Sequence, residues 1–157
     1  MNKRGLWLLA ALAVLAAALA LVFWPRGDAP AEYGRELLKN GGFEEWTEDG
    51  LPAHWDPDAY FRDADISEYH SVPGREGSAG RVYSRSPNDA RFAQTVAVRP
   101  GTMYRFSGYV LADAEGGSGA NLSVSGLYVF SDPVYYTDGE WQYVELYGRT
   151  GPSQRQV

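Results

Sequence analysis

No cysteine occurs in this chain of 157 residues. That absence excludes disulfides, thiolate metal sites and the lipidated cysteine of a bacterial lipoprotein. Histidine is nearly as scarce: His54 and His70 stand alone, which argues against a histidine-based zinc site. Basic residues are in the minority, with 14 Lys and Arg against 20 Asp and Glu, for a formal net charge of -6. Repulsion from phosphates therefore argues against nucleic acid as a partner. The imbalance is local. Nine acids (Glu44, Glu45, Glu48, Asp49, Asp56, Asp58, Asp63, Asp65, Glu68) face one base, Arg62, between Glu44 and Glu68. Such a stretch reads either as a solvated loop region or as an oxygen-rich site for a hard cation such as calcium.

What is present points to β structure. Hydrophobic residues make up 45% and aromatics 14%, enough to bury a core. Eighteen glycines and 11 tyrosines favour strands separated by many turns. The length suggests one modest domain.

The single long apolar run lies at the start. Lys3 and Arg4 precede uncharged residues from Leu6 to Trp24. As a helix this run would span about 28 Å, close to the apolar thickness of a bilayer. Basic residues before it predict a cytoplasmic N-terminus and an extracytoplasmic remainder. Ala18-Leu19-Ala20 offers a nominal signal-peptidase site, and cleavage there would give a secreted protein. The apolar run continues past it through Leu21-Val22-Phe23-Trp24, which favours an uncleaved anchor. The expected organisation is a signal-anchor or transmembrane segment over 1–26, a Pro-, Gly- and charge-rich linker over 27–35 and a β-sandwich over 36–157.

Beyond the linker the apolar period is two. Gly80–Ser84 reads as a short strand. Arg91–Val98 alternates, with Phe92, Gln94, Val96 and Val98 on one face. Arg99-Pro100-Gly101-Thr102 is a turn, and Tyr104, Phe106, Gly108, Val110 and Ala112 share a face of the next strand. Ala114–Ala120 is a Gly/Ser-rich loop. Asn121–Phe130 reads as one strand with Leu122, Val124, Gly126, Tyr128 and Phe130 on one side. Asp138-Gly139 signals a turn. The last clear strand runs from Trp141 to Tyr147, with Val144 and Leu146 on one face and Trp141, Tyr143 and Tyr147 on the other. A further strand is expected around Ala59–Ile66. Strands at this spacing describe an antiparallel all-β sandwich.

Four stretches occur in a familiar order: LLKNGGFEEW…DGLPAHW, GSAGRVYS, NDARFAQTVAVRPGTMYRFSGYVLA and DGEWQYVEL. Over roughly residues 36–150 the chain resembles the jelly-roll carbohydrate-binding modules of families four, nine and twenty-two, which accompany bacterial cellulases and xylanases. The resemblance implies a galactose-binding-like jelly roll whose last strand or strands would follow residue 157. It implies that N-G-G-F-E enters the first strand, with Phe43 packed inward and Glu44 a ligand of a structural calcium. It also implies that Trp55 closes one end of the sandwich and that Trp141 is a structural, strand-opening residue. Trp46 has no counterpart and reads as a partly exposed cap.

Sugar recognition needs flat apolar faces for C–H surfaces and polar side chains for hydroxyls. The residues suited to it are Tyr60, Phe61, Tyr128, Tyr135 and Tyr136, with Gln94, Arg91 and Asn88. Gln94 shares parity with Phe92, Val96 and Val98, so it reads equally as a hydrogen-bonded residue at the core edge. Tyr135 and Tyr136 follow Asp132-Pro133 and fall in a loop, either as a binding pair or as a plug. No Ser sits in a G-x-S-x-G elbow, no triad is evident and no carboxylate pair stands apart, so catalysis is not expected. The expectation is a membrane-tethered, extracytoplasmic module that binds a polysaccharide or glycan near the membrane or an attached enzyme. The alternatives are a structural or protein-interaction domain of a larger envelope protein and an accessory fragment of a glycoside hydrolase.

Overall fold

The computed structural model describes residues 34–114 and 117–157. The chain divides into two units, Met1–Glu36 and Leu37–Val157, and the account below concerns the second. The expected anchor and nearly all of the linker lie outside the described residues. Among the described residues no helix is long and apolar enough to cross a membrane.

The unit is all-β, and its strands form small antiparallel sheets. β1 (Asp56–Ala59) pairs with β4 (Ala90–Ala93), and β2 (Ser67–Pro73) with β3 (Ser78–Ser84). β5 (Met103–Val110) pairs with β8 (Gln142–Arg149), and β6 (Ser123–Val124) with β7 (Val129–Phe130). Outside these strands, Val96 and Val157 exchange both backbone hydrogen bonds, at 2.8 and 3.0 Å, and the Val98 N–H donates to Arg155 O at 2.9 Å.

The expected turns form where glycine and asparagine-like chemistry place them. Gly101 has φ +64°. Asp138 and Gly139 both have positive φ, and the Glu140 N–H closes the turn on Thr137 O at 2.9 Å. The alternation expected across 104–112 and 141–147 matches β5 and β8: Val144 and Leu146 are buried, while Tyr143 and Tyr147 are exposed.

Three expectations need correction. Asn121–Phe130 is not one strand but a hairpin, with Ser123 opposite Phe130 and Val124 opposite Val129. The chain reverses at Ser125–Tyr128, where the Leu127 N–H donates to Val124 O and Tyr128 takes φ +54°. Gly126 lacks a side chain to hold a strand against a neighbour, so the period-two pattern does not survive there. Likewise Ala59–Ile66 is a connector between β1 and β2. Asp63 organises it: its carboxylate accepts the Asp65 N–H and its carbonyl accepts those of Ile66 and Ser67, as an Asx turn does. Finally, Asn40–Glu44 does not enter a strand. Asn40 and Phe43 have φ +49° and +59°, and the Phe43 N–H folds back to Asn40 O.

Asn40 holds this bend through its side-chain amide. Nδ2 donates to Glu45 O and Ala53 O, and Oδ1 accepts the Glu45 N–H. Its backbone carbonyl accepts the Trp55 indole N–H at 3.0 Å. Phe43 is thereby turned inward, where it meets Trp55 and Phe92, and Phe92 in turn meets Tyr69 at 5.2 Å between centroids. Trp46 is half-buried and donates its indole N–H to Phe43 O. A second apolar cluster gathers Ala112, Val134 and Val144, flanked by Val110, Ala120 and Leu122.

Candidate functional site

The β5–β8 ribbon presents two faces of opposite character. Strand alternation sends Phe106, Gly108, Val144 and Leu146 to the inner face. The outer face carries facing pairs in register: Met103 with Arg149, Arg105 with Tyr147, Ser107 with Glu145, and Tyr109 with Tyr143. Tyr109, Tyr143 and Tyr147 are each about half exposed, at 47, 46 and 55%. Three exposed rings on one strand pair is the feature that a stacking ligand requires.

These rings are held in place. Tyr143 and Tyr147 lie on either side of Glu145, and both hydroxyls donate to its carboxylate, at 2.9 Å to Oε2 and 3.3 Å to Oε1. The Tyr109 ring meets Tyr143 edge-on at 5.4 Å. On its other side the Arg75 guanidinium lies over Tyr109, 4.2 Å from the centroid. Tyrosine has few rotors, so a platform fixed this way loses little entropy when a ligand covers it.

Beside the platform an apolar cleft of about 430 Å³ opens; Phe43, Trp55, Phe92, Phe106, Tyr109 and Trp141 contribute to its wall. Trp141, expected on the outer face with Tyr143 and Tyr147, lines this cleft, as Tyr109 of that face also does. It precedes Gln142, the first paired residue of β8, so strand alternation does not govern it. Glu44 is at the same cleft, and its carboxylate accepts the Ser78 N–H at 3.0 and 3.2 Å. This contact secures the Gly74–Gly77 turn that carries Arg75. Among the described residues no group of three or more acidic or histidine side chains gathers there. The geometry gives Glu44 a turn-holding role.

A second cleft, about 580 Å³, is bounded by Asp56, Asp58, Phe61, Arg62, Asp63 and Tyr69, among others. Asp58 is its electrostatic centre. Arg91 donates Nε and Nη2 to Asp58 Oδ2, at 3.0 and 2.6 Å, and Arg62 donates to Oδ1 at 3.0 Å. The Arg91 hydrogen bonds, more than any other influence, hold the Asp58 carboxyl below the usual aspartate range. Burial pushes the neighbouring Tyr69 phenol up, and its hydroxyl donates to Asp58 O.

The residues selected from sequence do not converge on one surface by contact. Arg91 is engaged with Asp58 and Asp89. The Gln94 amide is engaged with backbone: Oε1 accepts the Lys39 N–H, and Nε2 donates to Lys39 O and His54 O. Tyr60 is exposed at the end of β1, edge-on to Phe61 at 4.8 Å. Asn88 ties the Phe61 backbone and the Ser67 hydroxyl. Tyr128 projects from the β6–β7 turn. Tyr135 and Tyr136 lie on a segment bridged to Asp113, both about half exposed, with the Tyr136 hydroxyl donating to Asp138. No hydrogen bond or ring contact joins Tyr135 or Tyr136 to Arg91, Gln94 or Tyr60 among the described residues. Sequence reasoning placed Tyr143 and Tyr147 on a common face but did not select them. The signal that could have done so was the outward Tyr109 on the strand that pairs with theirs.

Comparison with family models, with curated proteins and with solved structures found no match to this chain.

Proposed function

We propose that this chain is a non-catalytic carbohydrate-binding module of jelly-roll type, tethered by residues 6–24 with its β domain outside the cytoplasm. It holds a glycan near the membrane or near an enzyme attached to it. The observation that carries the reading is the outer face of β5–β8, where Tyr109, Tyr143 and Tyr147 stand exposed in register around Glu145. Tyrosine rings offer apolar faces to sugar C–H surfaces, and the intervening arginine, serine and glutamate side chains offer hydrogen-bonding groups to hydroxyls.

A glycan array probed with the full chain in detergent micelles tests the reading. Binding is expected, and a Tyr143→Ala/Tyr147→Ala double variant should weaken it by roughly 1–3 kcal/mol with the fold retained. A Tyr135→Ala/Tyr136→Ala variant run beside it compares the two tyrosine patches. An array without signal above background, from protein with a cooperative melt, removes the reading.

A protein-interaction domain is the second reading. It is favoured by Tyr128 and Phe130, which project from the β6–β7 hairpin at 85 and 63% exposure. Loss of a co-purifying envelope partner on Tyr128→Ser/Phe130→Ser, with glycan arrays blank, is the result that selects it.

A further inference from the structure

Charge is distributed unevenly between the acidic part of the chain and the tyrosine platform. Nine acids lie between Glu44 and Glu68. By contrast, residues 94–112 and 141–157, which contain β5 and β8, carry Arg99, Arg105, Arg149 and Arg155 with Glu145 as their single acid. On the platform itself the strand register places Arg105 and Arg149 on the exposed face with Glu145. Two positive charges and one negative leave a local balance of +1 on a chain whose formal net charge is -6. The screening length is about 8 Å at physiological salt, so the local groups govern what a ligand lying on this face experiences.

The two arginines are also available. Among the described residues neither Arg105 nor Arg149 forms an ion pair. Arg149 uses one donor, Nη1, on Gly101 O at 2.8 Å. Among the described residues Arg105 makes no side-chain hydrogen bond. Glu145, the only carboxylate of the face, is hydrogen-bonded by both tyrosines, which draws its oxygens toward those hydroxyls.

Position matters as much as charge. Arg105 lies directly across from Tyr147, so their Cβ atoms are about 5 Å apart. Arg149 lies two residues beyond Tyr147 on the same face, about 7 Å along the strand. A sugar ring stacked on Tyr147 would have one guanidinium beside it and a second ahead of it. Two guanidiniums around one stacking surface suit a carboxylate, because each presents planar paired donors. The other end of the platform, between Tyr109 and Tyr143, has Arg75 already stacked on Tyr109 and ion-paired with Glu76 at 3.2 Å, and so offers no comparable free cation.

Resting on the carbohydrate-binding reading, we infer that the platform selects an acidic glycan, a polysaccharide containing uronic acid, and seats the uronate ring on Tyr147 with its carboxylate between Arg105 and Arg149. Neutral units of the same chain lie toward Tyr143. The overall negative charge then serves as a filter: it disfavours densely charged polyanions and leaves a sparsely charged glycan able to dock at the one face with positive balance.

The test uses the full chain in detergent micelles and matched probes. Oligosaccharides of galacturonate, glucuronate, mannuronate and guluronate are each compared with their carboxyl-reduced, uncharged forms by calorimetry. At least one uronate form is expected to bind roughly tenfold tighter than its reduced form, and the preference should shrink as salt is raised. Arg105→Gln should remove most of that preference, with the loss of affinity falling mainly on the uronate form. Arg75→Gln should leave the preference intact. Equal affinity for charged and reduced forms, abolished by Tyr147→Ala, overturns the acidic preference and keeps the carbohydrate reading. Absence of binding to every probe and to neutral glycans removes both. Heparin or single-stranded DNA bound as tightly as the best uronate shows a general polyanion surface and also overturns the inference.

Discussion

The Phe43 ring lies nearly flat on the Trp55 indole, with 4.9 Å between centroids and 16° between planes. This pair explains why two aromatic residues occur in a polar, glycine-rich stretch. The backbone between Gly41 and Trp55 makes little sheet of its own, with the Trp46–Pro52 bridge its one ladder contact. It is fixed to the rest of the unit by buried rings and by the hydrogen bonds of Asn40. Trp55 is buried, so Trp55→Ala should cost about 3–5 kcal/mol in denaturant unfolding. Phe43→Ala should cost less, because Phe43 is half-buried. A double-mutant cycle should return about 0.5–1.5 kcal/mol of coupling between the rings. Strict additivity would show that the stack contributes only its buried area.

Gly80 on β3 is required for a different reason. A Cβ placed there would come within 2.8 Å of both the Phe43 and Phe92 rings. Movement of either ring would disturb the contact of Phe43 with Trp55 or of Phe92 with Tyr69. Gly80→Ala should therefore destabilise the unit by about 1–3 kcal/mol, although alanine ordinarily suits a strand no worse than glycine. The chemical-denaturation midpoint is the readout. An unchanged midpoint would mean that the aromatic cluster repacks freely.

The Asp58–Arg91 contact sets a pH dependence. The Asp58 carboxyl titrates below its ordinary value, chiefly because Arg91 hydrogen-bonds to the charged form. The unfolded state then binds the proton more readily than the folded state. Asp58 thus contributes stability that is fully present above the ordinary aspartate value, about 3.9, and is lost as pH falls through the lower folded value. Comparison of thermal melts at pH 7 and near pH 3 should show a loss that is smaller in Asp58→Asn than in the parent chain. Equal losses in the two proteins would assign acid sensitivity to other carboxylates, with Glu68 the next to examine, since His70 and Arg85 hold it low.

The contrast between what was legible and what was not follows from local and non-local physics. β5 and β8 alternate cleanly in the sequence because one face is buried and the other is wet. β2, Ser-Glu-Tyr-His-Ser-Val-Pro, has no such contrast and leaves most of its length exposed or half-exposed, so no period marks it. The hairpin at 123–130 kept a period of two through its turn, and the pattern alone could not show the reversal. The platform needed register. Tyr143 and Tyr147 announce an aromatic face, but that Tyr109 completes it and that Arg105 lies opposite Tyr147 depend on pairing across 34 and 42 residues of chain. Local composition instead drew attention to Tyr135 and Tyr136, which are adjacent in sequence and therefore point to opposite sides of an extended segment.

Gln94 is the residue for which stability and binding give opposite answers. Strand parity left it between a ligand-facing role and a hydrogen-bonded role at the core edge. In the structure its amide closes three bonds of 2.8 to 2.9 Å to the backbone of Lys39 and His54, joining the end of β4 to the segment before Asn40. Each neutral hydrogen bond contributes about 0.5–1.5 kcal/mol, and removal of the side chain leaves one N–H and two carbonyls without their partner. Gln94→Ala should therefore lower stability by about 2 kcal/mol. Gln94→Glu should be at least as damaging, because a carboxylate cannot donate to the Lys39 and His54 carbonyls and would place negative charge against them. Glycan affinity, measured on the fraction that remains folded, should not change in either variant. If Gln94→Ala instead melts like the parent chain and loses glycan binding, the amide contacts the ligand and the site lies at the end of β4, not on the outer face of β5–β8.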